Sequence, residues 1–235
     1  SVGSTDDVNI IVEIDRHPGY DNGGVLNLPN WTTTKRLRVE PGFLREIEDL
    51  GERDGGNPDT LRSFLEWGIT TYPAETYGLV FWDHGSSWPG FGVDETNGES
   101  KLTISEISDV LGSLNVHLGL MGFDACLMGS WEVASALHPY TSALVVSPEL
   151  EPGDGWDYAG IVRRLVGEPA MPPMTLGRAI VDTYAAWYGA NRPGITDIIT
   201  LAVIDTSVIP ALDAQVVQLM DAIERELDAI DNIGD

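Results

Sequence analysis

The sequence predicts an α/β fold in which a mostly parallel sheet carries helices on both faces. Strand-like apolar runs alternate along the chain with segments of helical periodicity. The chain has 235 residues, of which 43 % are hydrophobic, so it can bury a sizeable core and is not expected to be disordered. No apolar run approaches the ~20 residues of a membrane-spanning helix.

Six segments are predicted to be strands because they are rich in apolar and β-branched residues and are bounded by turn-forming residues. Five are expected to be buried strands: residues 8–15, 77–83, 118–124, 143–147 and 198–204. Residues 35–40 (KRLRVE) alternate polar and apolar side chains, which predicts an edge strand or a hairpin arm.

Five helices are predicted from the spacing of apolar residues: residues 58–72, 103–116, 127–137, 175–188 and 207–230. The second opens with TISE, where Thr103 and Glu106 have the spacing of a capping box. In a sheet of this kind, functional side chains gather where the strands end.

The charge restricts the possible partners. There are 37 acidic and 13 basic residues, a net charge of −24, and only Lys35 and Lys101 are lysines. Nucleic acids and anionic membrane surfaces would be repelled, so neither is expected as a partner. High salt, cationic substrates and a generally acidic proteome would each explain the acidity. The one cysteine, Cys126, excludes an internal disulfide and a cysteine-cluster metal site.

Two predicted strands end in chemically rich turns: FWDHGSSWPG at residues 81–90 and GFDACLMGSWE at residues 122–132. One predicted helix separates these strands, so they are expected to be parallel neighbours with His84 and Cys126 at the same edge. An imidazole or a helix N-terminus raises the thiolate fraction of a cysteine, and Cys126 directly precedes a predicted helix. The backbone N–H groups of Gly85 and Cys126 would form an oxyanion hole. Alternatively, Cys126 is a small buried hydrophobic residue and His84 a structural turn residue.

These turns resemble the clostripain family of cysteine peptidases, in the caspase-like group. The resemblance rests on DACLMG after one strand and DHG after an earlier one, with YPAETYGLVFW, LTISEI and SPELEPGDGWDY around them, and it covers roughly residues 8–205. It implies a caspase-like three-layer α/β/α sandwich with a mostly parallel central sheet. Residues 1–235 would then form one peptidase domain that lacks the family's first strand and helix, as expected of a fragment or a processed chain.

The resemblance also implies roles for individual residues. Cys126 would be the nucleophile, and His84 the general base and later the acid, in cleavage after arginine and less readily after lysine. Asp124 matches the aspartate of the family's DAC element, and Asp154 lies in a loop that lines the same pocket, with Trp156 as a pocket wall. A buried guanidinium needs such a carboxylate partner. Capping, turn formation and loop packing are the alternatives for these three residues.

Further expectations follow from the same resemblance. Family members cleave themselves between the histidine and the cysteine, and Lys101 is the only lysine or arginine between Ser86 and Ala125. It lies in a polar segment that is predicted to be an exposed, cleavable loop. Calcium dependence is implied by the family, although no EF-hand pattern is present and no metal ligand is predicted. A secreted or cell-envelope protein is expected, although no signal peptide precedes the first strand.

Two other functions remain open on the sequence. A catalytically inactive caspase-fold binding module would keep these loops without turnover. A flavodoxin-like ligand-binding domain with a structural cysteine is disfavoured, because neither GxGxxG nor GxxxxGK[ST] occurs.

Overall fold

A computed structural model describes residues 2–231, with side chains as far as Leu227. The ends of the predicted domain, residue 1 and residues 232–235, lie outside the described residues. The strands are β1 Ile11–Ile14, β2 Lys35–Glu40, β3 Phe43–Asp49, β4 Gly78–Trp82, β5 Phe91–Asp94, β6 Ser100–Leu102, β7 Leu118–Asp124, β8 Thr141–Val146 and β9 Ala202–Asp205. The helices are α1 Pro58–Thr71, α2 Ile104–Leu114, α3 Trp131–Leu137, α4 Tyr158–Gly167, α5 Pro173–Asn191 and α6 Ile209–Asp231.

The central sheet has the strand order β4-β7-β8-β9. Its first three strands are parallel, and β9 pairs antiparallel with β8. All seven residues of β7 are buried, as expected of a strand covered on both faces. The predicted mostly parallel sheet is therefore confirmed, with one antiparallel edge strand.

Helices cover both faces of this sheet, which confirms the three-layer α/β/α sandwich. Alternate side chains of β7 separate the two cores: Met121 and Phe123 pack with α1, α2 and α3, whereas Leu120 packs with α4 and α5. Asp124 continues the series of Leu120 and therefore points toward the α4 and α5 layer. Among the described helices, none is both long and apolar enough to cross a bilayer.

The prediction that residues 8–15 form a buried strand of the central sheet is wrong. Only Ile11–Ile14 is a strand, it is half-buried, and it pairs antiparallel with β2 in a separate three-stranded sheet. β2 forms a hairpin with β3, as predicted, but it is the middle strand and not an edge. This sheet has its own small core of Trp31, Leu37 and Leu44, which leaves the outer strands partly exposed.

The helix predictions hold with two differences. The capping box is present, because Thr103 accepts from the N–H of Glu106 while the Glu106 carboxylate accepts from the N–H of Thr103. The third helix begins at Trp131, four residues later than predicted, after the N-cap Ser130. Helix α4 and the β5–β6 hairpin were not predicted at all.

Candidate active site

His84 and Cys126 lie on neighbouring loops at one edge of the central sheet. β4 and β7 are parallel and in register as far as the pair Trp82 and Asp124, and each residue lies two positions beyond that pair. The loops touch at Gly85: a Cβ there would collide with the carbonyl oxygen of Cys126. The structure thus brings together the two strand ends that the sequence predicts to be neighbours.

The His84 turn is held by the first strand of the β5–β6 hairpin. The His84 carbonyl oxygen accepts a hydrogen bond from the N–H of Gly92 at 2.8 Å, and the Asp83 carboxylate accepts from the N–H of His84. The second Asp83 oxygen accepts from the N–H of Val93 at 3.5 Å. The backbone of the turn is therefore fixed, while the His84 imidazole is exposed to solvent.

The Cys126 loop is held by the loop that follows β8. Leu127 has a φ of 64°, a left-handed conformation that disfavours a non-glycine residue by about 1–3 kcal/mol. Its N–H donates to the carbonyl oxygen of Glu149 at 3.1 Å, and the N–H of Gly129 donates to Ser147 at 2.7 Å. These bonds hold a backbone that turns sharply just after the thiol.

The Cys126 thiol contacts the backbone of Glu151. Sγ accepts from the N–H of Glu151 at 3.3 Å and donates to its carbonyl oxygen at 3.7 Å. The expectation that a helix N-terminus directly follows Cys126 is wrong, because α3 starts only at Trp131. The N–H of Glu151, a residue that follows β8, points at the sulfur instead.

The two N–H groups assigned to an oxyanion hole lie on these touching loops. Among the described residues, neither the N–H of Gly85 nor that of Cys126 donates a hydrogen bond to a protein acceptor. Backbone donors without a partner are uncommon unless water or a ligand satisfies them. Both groups are therefore available to a substrate oxygen.

Asp124 is 4 % exposed and lies beneath the loop that carries Asp154 and Trp156. Its Oδ2 accepts hydrogen bonds from the N–H of Trp156 at 3.0 Å and from the hydroxyl of Tyr158 at 2.8 Å. Burial raises the pKa of Asp124, and these two bonds act in the opposite direction. Asp124 thus anchors the loop and also places a carboxyl group next to the Cys126 loop.

Glu151 is a site residue that the sequence analysis did not single out. Its Oε2 accepts a hydrogen bond from the indole N–H of Trp156 at 2.9 Å, and its carboxyl group faces that of Asp124. Burial, followed by repulsion from Asp124, raises the pKa of Glu151 to about 9. Glu151 lies within the quoted segment SPELEPGDGW, but nothing in its spacing distinguishes it from the nearby exposed Glu149.

Asp154 and Trp156 have internal partners. The Asp154 carboxylate forms a bidentate ion pair with Arg192, at 2.8 and 3.0 Å, which lowers the pKa of Asp154. Arg192 follows α5, so this pair ties the loop to the helix. The Trp156 ring is 4 % exposed and packs in the core with Val145 and Ile180. Both residues thus stabilise the loop, whatever further role they have in a pocket.

Lys101 does not lie in an open loop. It belongs to β6, between Ser100 and Leu102, which pair with β5. The Lys101 side chain is exposed, whereas Leu102 is 3 % exposed. Cleavage after Lys101 therefore requires β6 to leave the hairpin and Leu102 to leave the core.

One group of carboxylates has the donor chemistry of a hard cation such as calcium. Oxygens of Asp15, Glu52 and Asp94 lie within 4.8 Å of one another. Asp94 already caps a short 3₁₀ turn and accepts from the N–H groups of Gly55, Thr96 and Asn97. The dependence on calcium stays a prediction from the resemblance.

A cysteine and a histidine at the ends of adjacent parallel strands, within a three-layer sandwich, define a caspase-like α/β protein. The chain belongs to the clostripain family, because the family model of C11 peptidases matches residues 1–233. It is 25 % identical over 188 residues to the clostripain of Hathewaya histolytica, which covers 67 % of this chain and 36 % of that protein. A uronate isomerase of a Thermotoga species is 28 % identical over 167 residues, or 66 % of this chain and 36 % of that protein.

The fold is similar to that of a secreted C11 cysteine protease from Bacteroides thetaiotaomicron, solved with an irreversible peptide inhibitor. The TM-score is 0.70 at 25 % identity, over 88 % of this chain and 58 % of that one. This chain thus spans between about a third and three fifths of the relatives that it matches. The structural likeness agrees with the family model, which extends over nearly the whole chain.

Proposed function

We propose that this protein is a cysteine endopeptidase that cleaves peptide bonds after arginine, and less readily after lysine. The observation that carries the proposal is the contact between the Gly85 and Cys126 loops, at the edge where β4 and β7 end. An exposed histidine and a thiol on these adjacent loops, beside two N–H groups that have no protein acceptor among the described residues, support this chemistry. Membership of a peptidase family supports the same chemistry.

In this mechanism His84 takes the proton of the Cys126 thiol, and Sγ attacks the carbonyl carbon of the substrate. The developing oxyanion accepts hydrogen bonds from the N–H groups of Gly85 and Cys126. His84 then gives its proton to the leaving amine, which leaves a thioester on Cys126. Water, deprotonated by His84, hydrolyses the thioester and restores the thiol.

Specificity for arginine is proposed from Asp124. Its carboxyl group is buried beside the Cys126 loop. A guanidinium that is buried there needs a carboxylate as its partner, and Asp124 supplies one. Arg192 occupies the Asp154 carboxylate, so Asp154 reaches a substrate only if that ion pair opens. The partners are thus protein or peptide substrates that carry Arg or Lys. We also propose secretion, because a similar C11 protease is described as secreted.

The test is hydrolysis of reporter peptides that differ only in the residue before the scissile bond: Arg, Lys, Leu or Asp. The Arg reporter should exceed Leu and Asp by at least ~100-fold in kcat/KM, since an unpaired buried charge costs roughly 3–5 kcal/mol. Alkylation of the thiol, Cys126→Ala and His84→Ala should each abolish turnover. Turnover that survives Cys126→Ala would refute the nucleophile, and absence of all turnover would favour a catalytically inactive binding module.

A further inference from the structure

The loop after β8 brings a second carboxyl group to the region where Asp124 lies. Glu151 is tied to the nucleophile through its backbone, which makes both hydrogen bonds to Cys126 Sγ, and to Asp124 through its side chain. A substrate side chain that runs from the carbonyl carbon at Sγ toward Asp124 therefore passes Glu151. Trp156 connects the two carboxyl groups, because its backbone N–H donates to Asp124 at 3.0 Å and its indole N–H donates to Glu151 at 2.9 Å.

Neither carboxyl group has a basic partner among the described residues. If both are ionised, Glu151 Oε1 is buried without any hydrogen-bond donor. A buried polar atom in that state is unfavourable, and more so when it is charged. Burial, followed by repulsion from Asp124, raises the pKa of Glu151, and a proton on Glu151 also allows a hydrogen bond to Asp124.

A guanidinium can replace that proton. It carries five N–H donors in a planar fork, so one arginine can donate to two adjacent carboxylates at once. The ammonium of lysine is a compact group that cannot span them in the same way. The two carboxyl groups of Asp124 and Glu151 are thus suited to bind arginine in particular, and they disfavour an uncharged side chain.

We propose that Glu151 is a second specificity residue of this site, which binds the guanidinium of the substrate together with Asp124. This inference rests on the proposed function and names the residue through which that site prefers arginine. The O–H bond of Glu151 breaks as the guanidinium binds, the proton passes to the buffer, and the positive charge of the arginine is retained. Arginine binding is therefore coupled to the release of one proton.

Among the side chains that the structure describes, these titratable groups face Glu151: Asp124, Cys126, Tyr158, Tyr184 and Tyr188. Burial raises the pKa of all three tyrosines, which therefore stay neutral between pH 6 and pH 9. Cys126 and His84 serve every substrate alike, so their titration cancels in a ratio of two substrates.

The experiment compares reporter peptides with arginine or citrulline before the scissile bond, from pH 6 to pH 9. Citrulline is planar and of similar size but uncharged. In the wild type, the ratio of kcat/KM for arginine over citrulline should rise with pH, by up to about tenfold per unit, as Glu151 ionises more easily. In Glu151→Gln the ratio should be independent of pH and at least about tenfold lower at pH 8.5. Glu149→Gln, which removes an exposed charge from the same loop, is the matched control and should behave like the wild type.

A second readout does not need turnover. Binding of an arginine-containing peptide amide to Cys126→Ala, measured by calorimetry in buffers of different ionisation enthalpy, should release about one proton at pH 7.5. The double variant with Glu151→Gln should release none. Proton-coupled binding without wild-type turnover would refute the peptidase and leave this inference standing. A wild-type ratio that does not change with pH, or arginine binding without proton release, would overturn the inference even in an active peptidase.

Discussion

Gly85 is the position where the His84 and Cys126 loops meet, so Gly85→Ala perturbs their relative placement without removing a functional group. The added methyl group would collide with the carbonyl oxygen of Cys126 and would lie 2.9 Å from Cγ and from Sδ of Met128. Met128 is fully buried and cannot swing into solvent. The backbone of Cys126 must therefore move.

The expected loss can be worked from this overlap. Overpacking a filled interior destabilises a protein by about 1–3 kcal/mol, which lowers Tm by about 2–12 °C in a chain of this size. A displacement of the nucleophile by ~1 Å lowers the rate by about 100-fold, because the attack geometry is lost. We therefore expect both a loss of about 100-fold in kcat/KM and a lower Tm.

Gly153→Ala is the matched control, since its Cβ would meet nothing within 4 Å and its φ is not in the left-handed region. It lies in the segment EPGDGW, near the same site. The assay is kcat/KM for the arginine reporter at 25 °C, together with thermal unfolding. If Gly85→Ala has a kcat/KM within threefold of that of Gly153→Ala and the same Tm, the His84 and Cys126 loops are not in the contact described, which refutes this prediction.

Three other predictions concern the loop and the hairpin. The pKa of Glu151 in the folded state lies above its ordinary value of 4.5. Between about pH 4.5 and about pH 9 the folded state therefore keeps a proton that the unfolded state loses. The wild type loses stability as the pH rises through this range. Glu151→Gln should therefore gain Tm over the wild type across that range, and parallel Tm curves would contradict this. Arg192→Ala should leave the Tm nearly unchanged, because its ion pair with Asp154 is exposed to solvent. It should lower KM for the arginine reporter if Asp154 is then freed, and an unchanged KM would show that Asp154 does not reach the substrate. Mass spectrometry of purified protein should show cleavage after Lys101 in the wild type and an intact chain in Cys126→Ala and Lys101→Gln; an intact, fully active wild type would show that this cleavage is not required.

The central sheet could be predicted because its strands are covered on both faces. Residues 118–124 were predicted with the bounds that the structure has, since a continuous apolar run of that length is typical of a buried parallel strand. The same alternation of strand and helix placed His84 and Cys126 at one edge without any three-dimensional information. This part of the site follows from local patterns and from the handedness of parallel connections.

The antiparallel sheet could not be predicted in the same way. β3 reads FLREIED, in which six of seven residues are exposed and the polar residues outnumber the apolar ones. Its pairing with β2 includes a bulge between Arg36 and Leu37, which breaks the simple alternation. Residues 8–15 are as apolar as a core strand, and only the long-range pairing with β2 shows that they belong to the smaller sheet.

The contacts of Glu151 could not be predicted from the sequence either, because they depend on how the loop after β8 packs against Cys126 and Asp124. That loop holds the strained backbone at Leu127 through the carbonyl oxygen of Glu149, and it holds Asp124 through the N–H of Trp156. Placement of the thiol and placement of the pocket carboxyl are therefore not independent, since one segment of chain determines both. A change that breaks these contacts of the loop should alter kcat and the preference for arginine together, whereas a change at His84, on the opposite loop, should alter kcat alone. This difference separates residues that position the nucleophile from residues that carry out the proton transfer.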